Sequence, residues 1–301
     1  PAYPLWPKVW RCIRAHLACC VVDAPGQMAL DVGGSICALL FVLHGANSLR
    51  IDFSHQFIGD WSDKPSFPWR FIYLTVQCNL LHFLYGLCWL AECWQPGCSA
   101  GALFVITHLV CGLGLYVFVN YYALIHFSPA VRADMAKYAE VGELHFRGQT
   151  VGSQFYFRTM DYIHGPLFAL AGLPLVFLSR ARLKEGMLGV WGTITFAVCY
   201  GCVYCGLCCW TRYISGYWVY PFMNAFTRWW HHVLFHACSF ALYAAFCIGY
   251  REYGLADTDV VGTRCGVAIS CVGTLAYLVW TTARSASWRA PDDQYMPVAS
   301  G

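Results

Sequence analysis

Charged residues are scarce in this 301-residue chain: Lys, Arg, Asp and Glu together make up 12% of it. Soluble domains carry about 25%, so the sequence has roughly half the charge that a wet surface needs. The formal net charge of +3 is too small to attract nucleic acid. There is no G-x-x-x-x-G-K-[ST] loop and no G-x-G-x-x-G fingerprint, which leaves nucleotide chemistry without its usual phosphate cradle. The paired histidine boxes that hold iron in membrane hydroxylases and desaturases are missing too. The nearest approach, "WWHHVLFH" with His231, His232 and His236, stands alone, and its His231 and His232 beside Trp229 and Trp230 read as an interfacial anchor. No cofactor and no metal site are expected.

What is present in excess is apolar. Hydrophobic residues reach 58%, the mean hydropathy is +0.49, and aromatic residues at 17% suit belts of Trp and Tyr at two bilayer interfaces. Windows of about 20 apolar residues predict six spans, at 32–49, 71–90, 100–124, 160–179, 188–210 and 232–250, with a possible seventh at 262–282. The expected fold class is all-α: a polytopic transmembrane helical bundle forming one domain over 1–283, with a tail at 284–301 expected to be disordered. One polar connection, 128–158, interrupts the apolar pattern, and its "PAVRADMAKYAEVGEL" reads as a short helix on the membrane surface. The basic "RARLK" at 180–184 places that loop on the cytoplasmic side, together with the N-terminal Lys8, Arg11 and Arg14. The expected location is an endomembrane or the plasma membrane, as an integral multi-pass protein.

Eighteen cysteines would suggest a disulfide scaffold in a small secreted protein. Most of them lie inside apolar runs, where a thiol behaves as a small hydrophobe. Cys199, Cys202, Cys205 and Cys208 recur every third residue, but one helix rises about 4.5 Å over that interval, so four sulfurs cannot converge on one ion. They read as small residues at a helix-packing seam, with S-acylation of Cys208 or Cys209 as the other reading.

Polar groups inside apolar spans are candidates for chemistry. His44, His82, His108, His164 and His236 all fall in or beside predicted spans, and His44, His108 and His236 read as hydrogen-bonded structural histidines. On the second span Thr75, Asn79 and His82 stand at i, i+4 and i+7, one face of one helix. That stripe faces the bundle, either to bond neighbouring helices or to serve a site. The fourth span opens with Asp161 and His164, neighbours on one helical face. Two readings stand side by side. Asp161 is a first-turn residue favoured by the helix dipole, with His164 buried beside it; or Asp161 orients His164 as a base for Thr75.

The phrase "ISGYWVYPFMNAF", residues 214–226, resembles the G-x-W-V-Y-P-F stretch of the androgen-induced and androgen-dependent membrane hydrolases. Trp69-Arg70-Phe71 at the start of the second span, Tyr85-Gly86 near its end, and His164 opening the fourth follow the same order over about residues 60–250. The resemblance implies an intramembrane hydrolase of fatty acid esters of hydroxy fatty acids, with a threonine nucleophile on the second span and a histidine base on the fourth. His164 falls on the family's histidine. Counting forward from Trp69 puts Tyr73 at the nucleophile position and counting back from Gly86 puts Leu74 there; Thr75 is the nearest hydroxyl of the right kind.

The expected catalytic set is therefore Thr75, His164 and Asp161. Asn79 and His82 are the expected oxyanion donors, and Trp218 and Tyr220 are candidate substrate-binding rings in a lid-like connection. The expected partners are a lipid ester and the bilayer, with no nucleic acid. The competing class is a non-enzymatic transporter or lipid-binding protein whose polar stripe lines a path; the chain lacks the matched Gly/Pro-interrupted halves that favour it.

Overall fold

A long apolar segment in a bilayer has no water to satisfy its peptide groups, so it folds as a helix that closes every hydrogen bond within itself. The computed structural model describes residues 32–53, 55–56, 71–142, 144–146, 149–178, 180–216, 218–220, 223 and 226–255, and the possible seventh span at 262–282 and the tail lie outside them. Its helices are α1 (Val32–Asp52), α2 (Leu74–Trp94), α3 (Ala100–Asn120), α4 (Pro129–Glu140), α5 (Ser153–Phe177), α6 (Arg180–Gly186), α7 (Val190–Ser215) and α8 (Trp229–Leu255). A π-helical turn, Tyr121–His126, extends α3. Six of these helices are long and apolar enough to cross a membrane: α1, α2, α3 with its π turn, α5, α7 and α8. The chain is an integral multi-pass membrane protein with an all-α bundle fold.

Three two-residue strands, β1 (His55–Gln56), β2 (His145–Phe146) and β3 (Gln149–Thr150), form a small antiparallel sheet in the order β1-β2-β3. It ties the α1–α2 connection to the polar segment before α5, pairing His55 with Phe146 and His145 with Thr150. Strands this short leave no alternating pattern in a sequence, and the sheet was not expected. The predicted surface helix in that polar segment is α4. Ser128 caps it by accepting from the Val131 N–H at 3.4 Å, Pro129 fills the first turn, and none of its residues is buried.

The helices approach closely where glycine permits. A Cβ on Gly45 of α1 would lie 2.8 Å from the Phe83 Cβ, and one on Gly86 of α2 would lie 2.7 Å from the Phe41 Cβ. Each helix thus presses a side chain into the other's missing one, the small-residue packing that lets membrane helices gain dispersion contacts. The main core follows from this seam: Phe41, Tyr85 and Trp89 are buried with Leu103 and Val110 of α3 and Leu170 and Leu173 of α5. In α5, Pro166 has no N–H to give to the Tyr162 carbonyl. His44 of α1 sits there instead, its Nε2 3.4 Å from the Tyr162 oxygen, while Asn47 donates to the Tyr162 hydroxyl at 2.6 Å.

Two sequence expectations change. Helix α5 begins at Ser153, seven residues before the predicted start, because Tyr156, Phe157 and Thr159 are buried although the stretch is too polar for a hydropathy window. Asp161 and His164 therefore lie well inside the helix, and Asp161 is no first-turn residue. On α7 the packing seam runs through Thr193, Ala197, Gly201, Tyr204, Cys208 and Thr211. Of the cysteine run only Cys208 is on it; Cys199, Cys202 and Cys209 are exposed, since a constant spacing of three drifts off a stripe that advances by a mixture of fours and threes.

Both ends of the bundle are identifiable. Buried Glu92, near the end of α2, accepts from the Gly97 and Ser99 backbone N–H groups at 2.9 and 3.3 Å and meets Arg182 of α6 at 3.3 Å. The α2–α3 turn and the "RARLK" connection thus share one face, as alternating spans require. The start of α2, the end of α3, the early turns of α5 and the start of α8 gather toward the opposite face.

Candidate functional site

Near that opposite face a cavity of about 90 Å³ lies between α2, α3, α5, α7 and α8, and both Thr75 and His164 line it. Thr75 is the second residue of α2 and only partly buried. A threonine in a helix often returns its hydroxyl proton to the carbonyl four residues back. In this molecule Thr107, Thr159, Thr193 and Thr195 all do so, at 2.7 to 3.1 Å. For Thr75 the equivalent carbonyl belongs to Phe71, ahead of the helix, and the Gln77 side chain bonds it at 2.6 Å. The Thr75 hydroxyl reaches across to α5 instead, with Oγ1 3.1 Å from His164 Nε2.

The other ring nitrogen fixes the sense of that bond. His164 Nδ1 lies 2.7 Å from the Met160 carbonyl oxygen, which can only accept, so Nδ1 carries the proton. In the neutral ring Nε2 is then a bare acceptor, and Thr75 donates to it. A hydroxyl whose proton already points at an imidazole lone pair is arranged as nucleophile and general base. The ring itself is held by the Tyr121 phenol, which stacks on it with centroids 3.9 Å apart and planes 9° from parallel.

Asp161 does not orient His164, contrary to the sequence expectation: the Met160 carbonyl occupies Nδ1. Its carboxylate turns to the end of α3, where Tyr121 donates to Oδ1 at 3.1 Å and His126 Nδ1 lies 2.8 Å from the same oxygen. The π turn makes this possible. Residues five apart fall on opposite sides of an α-helix but align in a π-helix, so Tyr121 and His126 face Asp161 together. Asp161 thus anchors the phenol that covers His164, one step removed from the ring.

The expected oxyanion donors are also elsewhere. Asn79 and His82 are fully buried but do not line the cavity. The Asn79 amide donates to Asp52 at 3.2 Å, and His82 Nε2 lies 3.3 Å from the Val110 carbonyl oxygen, so both bond α2 to its neighbours. They share a face with Thr75, but the helical rise carries them about 6 and 10 Å further along the axis. Of the two rings in the lid-like connection, Trp218 stacks on His232 at 4.2 Å and lies off the cavity, whereas Tyr220 lines it. The Tyr220 hydroxyl accepts from the Leu74 N–H at 3.4 Å and shares a 3.1 Å hydrogen bond with the Tyr204 hydroxyl. The hydroxyl pair thus sits beside the backbone of Thr75. Burial pushes the Tyr220 phenol up from its usual range, so it stays protonated.

Sequence reasoning missed Tyr121, His126, Tyr204 and the Met160 carbonyl. An i, i+5 relation has no place in α-helical periodicity, and a backbone acceptor has no sequence signature. Among the described residues, no group of three His, Cys, Asp or Glu side chains converges as a metal site would require. Comparison with known proteins returns no matching family, no matching curated protein and no matching solved structure.

Proposed function

We propose that the protein is an intramembrane hydrolase of lipid esters, with Thr75 as nucleophile and His164 as general base. The observation that carries this reading is the 3.1 Å Thr75–His164 contact, in which the Met160 carbonyl leaves Nε2 free to take the proton. The cavity wall is largely aromatic and aliphatic, which suits an acyl substrate arriving sideways from the bilayer. The sequence resemblance adds the substrate class, fatty acid esters of hydroxy fatty acids.

In the proposed reaction Thr75 Oγ1 attacks the ester carbonyl as its proton passes to His164 Nε2. The Nδ1–H stays on the Met160 carbonyl, whose dipole favours the imidazolium. The Tyr204–Tyr220 hydroxyl pair, which lines the cavity beside the Thr75 backbone, is the proposed donor to the oxyanion, in place of Asn79 and His82. Collapse of the tetrahedral species breaks the bond to the leaving alkoxide, which takes the proton from Nε2 and departs as the alcohol. Water then repeats the sequence on the acyl-threonine, giving its proton to His164 and releasing the acid.

The test is hydrolysis of long-chain esters by the purified full chain. Thr75→Ala and His164→Ala should each lower kcat/KM by at least ~10², the scale of a lost nucleophile or acid–base group. Undiminished turnover in both folded variants rules the assignment out. The polar interior favours no second reading by a specific contact.

A further inference from the structure

The cavity holds a polar group that the proposed reaction does not use. Most polar side chains of its wall are committed elsewhere. Tyr200 donates to Gln77 at 2.7 Å, Tyr243 to the Leu109 carbonyl at 3.3 Å, and Asn120 to the Tyr116 carbonyl at 2.8 Å. His236 differs. It lines the cavity from α8, only 6% exposed, and its Nε2 is buried with no hydrogen-bond partner. Among the described cavity-lining residues it is the one so placed. Phe240 stacks beside the ring, with centroids 5.9 Å apart, and Phe235 packs edge-on at 5.5 Å. A buried unpaired nitrogen is costly unless something in the functional state satisfies it.

We infer that His236 is a recognition subsite for a second, uncharged oxygen on the lipid, a hydroxyl or a carbonyl distinct from the ester under attack. Charge disfavours a carboxylate at this position: among the described residues no Lys, Arg, Asp or Glu lines the cavity, and an anion brought there without a cation would bear the full desolvation cost. An imidazole can serve either kind of neutral oxygen, accepting from a hydroxyl or donating to a carbonyl according to its tautomer. Thr75 and His236 come from α2 and α8, on different walls of one cavity. A lipid that satisfies both is therefore fixed in register as well as held. The inference rests on the esterase reading of the site but narrows its substrate. An ester of a hydroxy fatty acid carries only the ester and a carboxylate, so the subsite selects a lipid ester with a further hydroxyl or carbonyl, and the binding test depends on neither reading.

The test uses two non-hydrolysable, photoactivatable dialkyl ethers of equal chain length, one plain and one with a mid-chain hydroxyl, competing for cross-linking to the full chain in lipid nanodiscs. Wild type should favour the hydroxylated ether by about fivefold, the scale of one buried hydrogen bond. In His236→Phe the preference should vanish, in His236→Gln most of it should survive, and in Thr75→Ala it should be intact. Equal labelling of wild type by the two ethers overturns the subsite, and so does a preference that His236→Phe leaves unchanged. If wild type shows the preference but hydrolyses no ester, the subsite stands and the esterase reading falls. Hydrolysis without the preference removes the subsite and leaves the esterase standing.

Discussion

Thr75–His164 and Thr193–His108 both join a threonine to a histidine on another helix, at 3.1 and 2.9 Å, but their protons lie in opposite senses. Thr193 is fully buried and gives its hydroxyl proton back to the Gly189 carbonyl at 3.1 Å, so it can only accept from His108. His108 must then donate from Nε2, and its Nδ1 is left without a partner. In the other pair the Met160 carbonyl holds the proton on Nδ1, and the threonine, whose carbonyl four residues back is taken by Gln77, is the donor. One pair fastens α3 to α7; the other is arranged for proton transfer and opens on a cavity. The same two residue types become a strut or a candidate catalyst according to whether the carbonyl four residues back is open to the threonine or already taken.

The contrast predicts its largest effect on turnover. Thr75→Ala should cost at least ~10² in kcat/KM, whereas Thr193→Ala should leave kcat/KM within a few-fold, and steady-state hydrolysis of both variants measures the difference. The order reverses for stability. Thr193→Val removes the acceptor from His108 inside the bundle and should destabilise by about 1–3 kcal/mol, while Thr75→Val at the cavity edge should cost less; unfolding in mixed detergent micelles compares them.

A smaller effect separates the two accounts of Asp161. If Asp161 set the His164 tautomer directly, Asp161→Asn would lower kcat by about 10⁴, as loss of a triad carboxylate does. With the Met160 carbonyl in that role, the expected loss is less than about tenfold, and Tyr121→Leu, which removes the stacked ring, should lose at least as much. Single-turnover rates for the two variants decide between the accounts. The smallest difference expected is at Tyr220→Phe. Removing that hydroxyl breaks the pair with Tyr204, and a loss of a few-fold to tenfold in kcat with KM little changed marks a donor to the transition state.

The bundle was legible because bilayer thickness imposes span length, and six stretches of the right length and hydropathy became α1, α2, α3, α5, α7 and α8. The inward stripe on α2 was legible as well, since Thr75, Asn79 and His82 repeat with the helix period. What that stripe does was not. Periodicity gives a face but not a depth, and only the first of the three reaches the cavity. Asp161 misled for a related reason: its spacing from His164 puts both on one side of α5, but a ring can turn its nitrogen to its own backbone. The strut at Thr193 and His108 spans 85 residues of sequence, and no local pattern announces a partner that distant.

The central claim is that the Thr75 hydroxyl is an activated nucleophile, and covalent labelling tests it most directly. The full chain, reconstituted in lipid and treated with an alkyl fluorophosphonate, should carry the adduct on Thr75 by peptide mass spectrometry. The label should disappear in His164→Ala and persist in Thr193→Ala. A folded protein that takes no label, or takes it at a residue other than Thr75, contradicts the account.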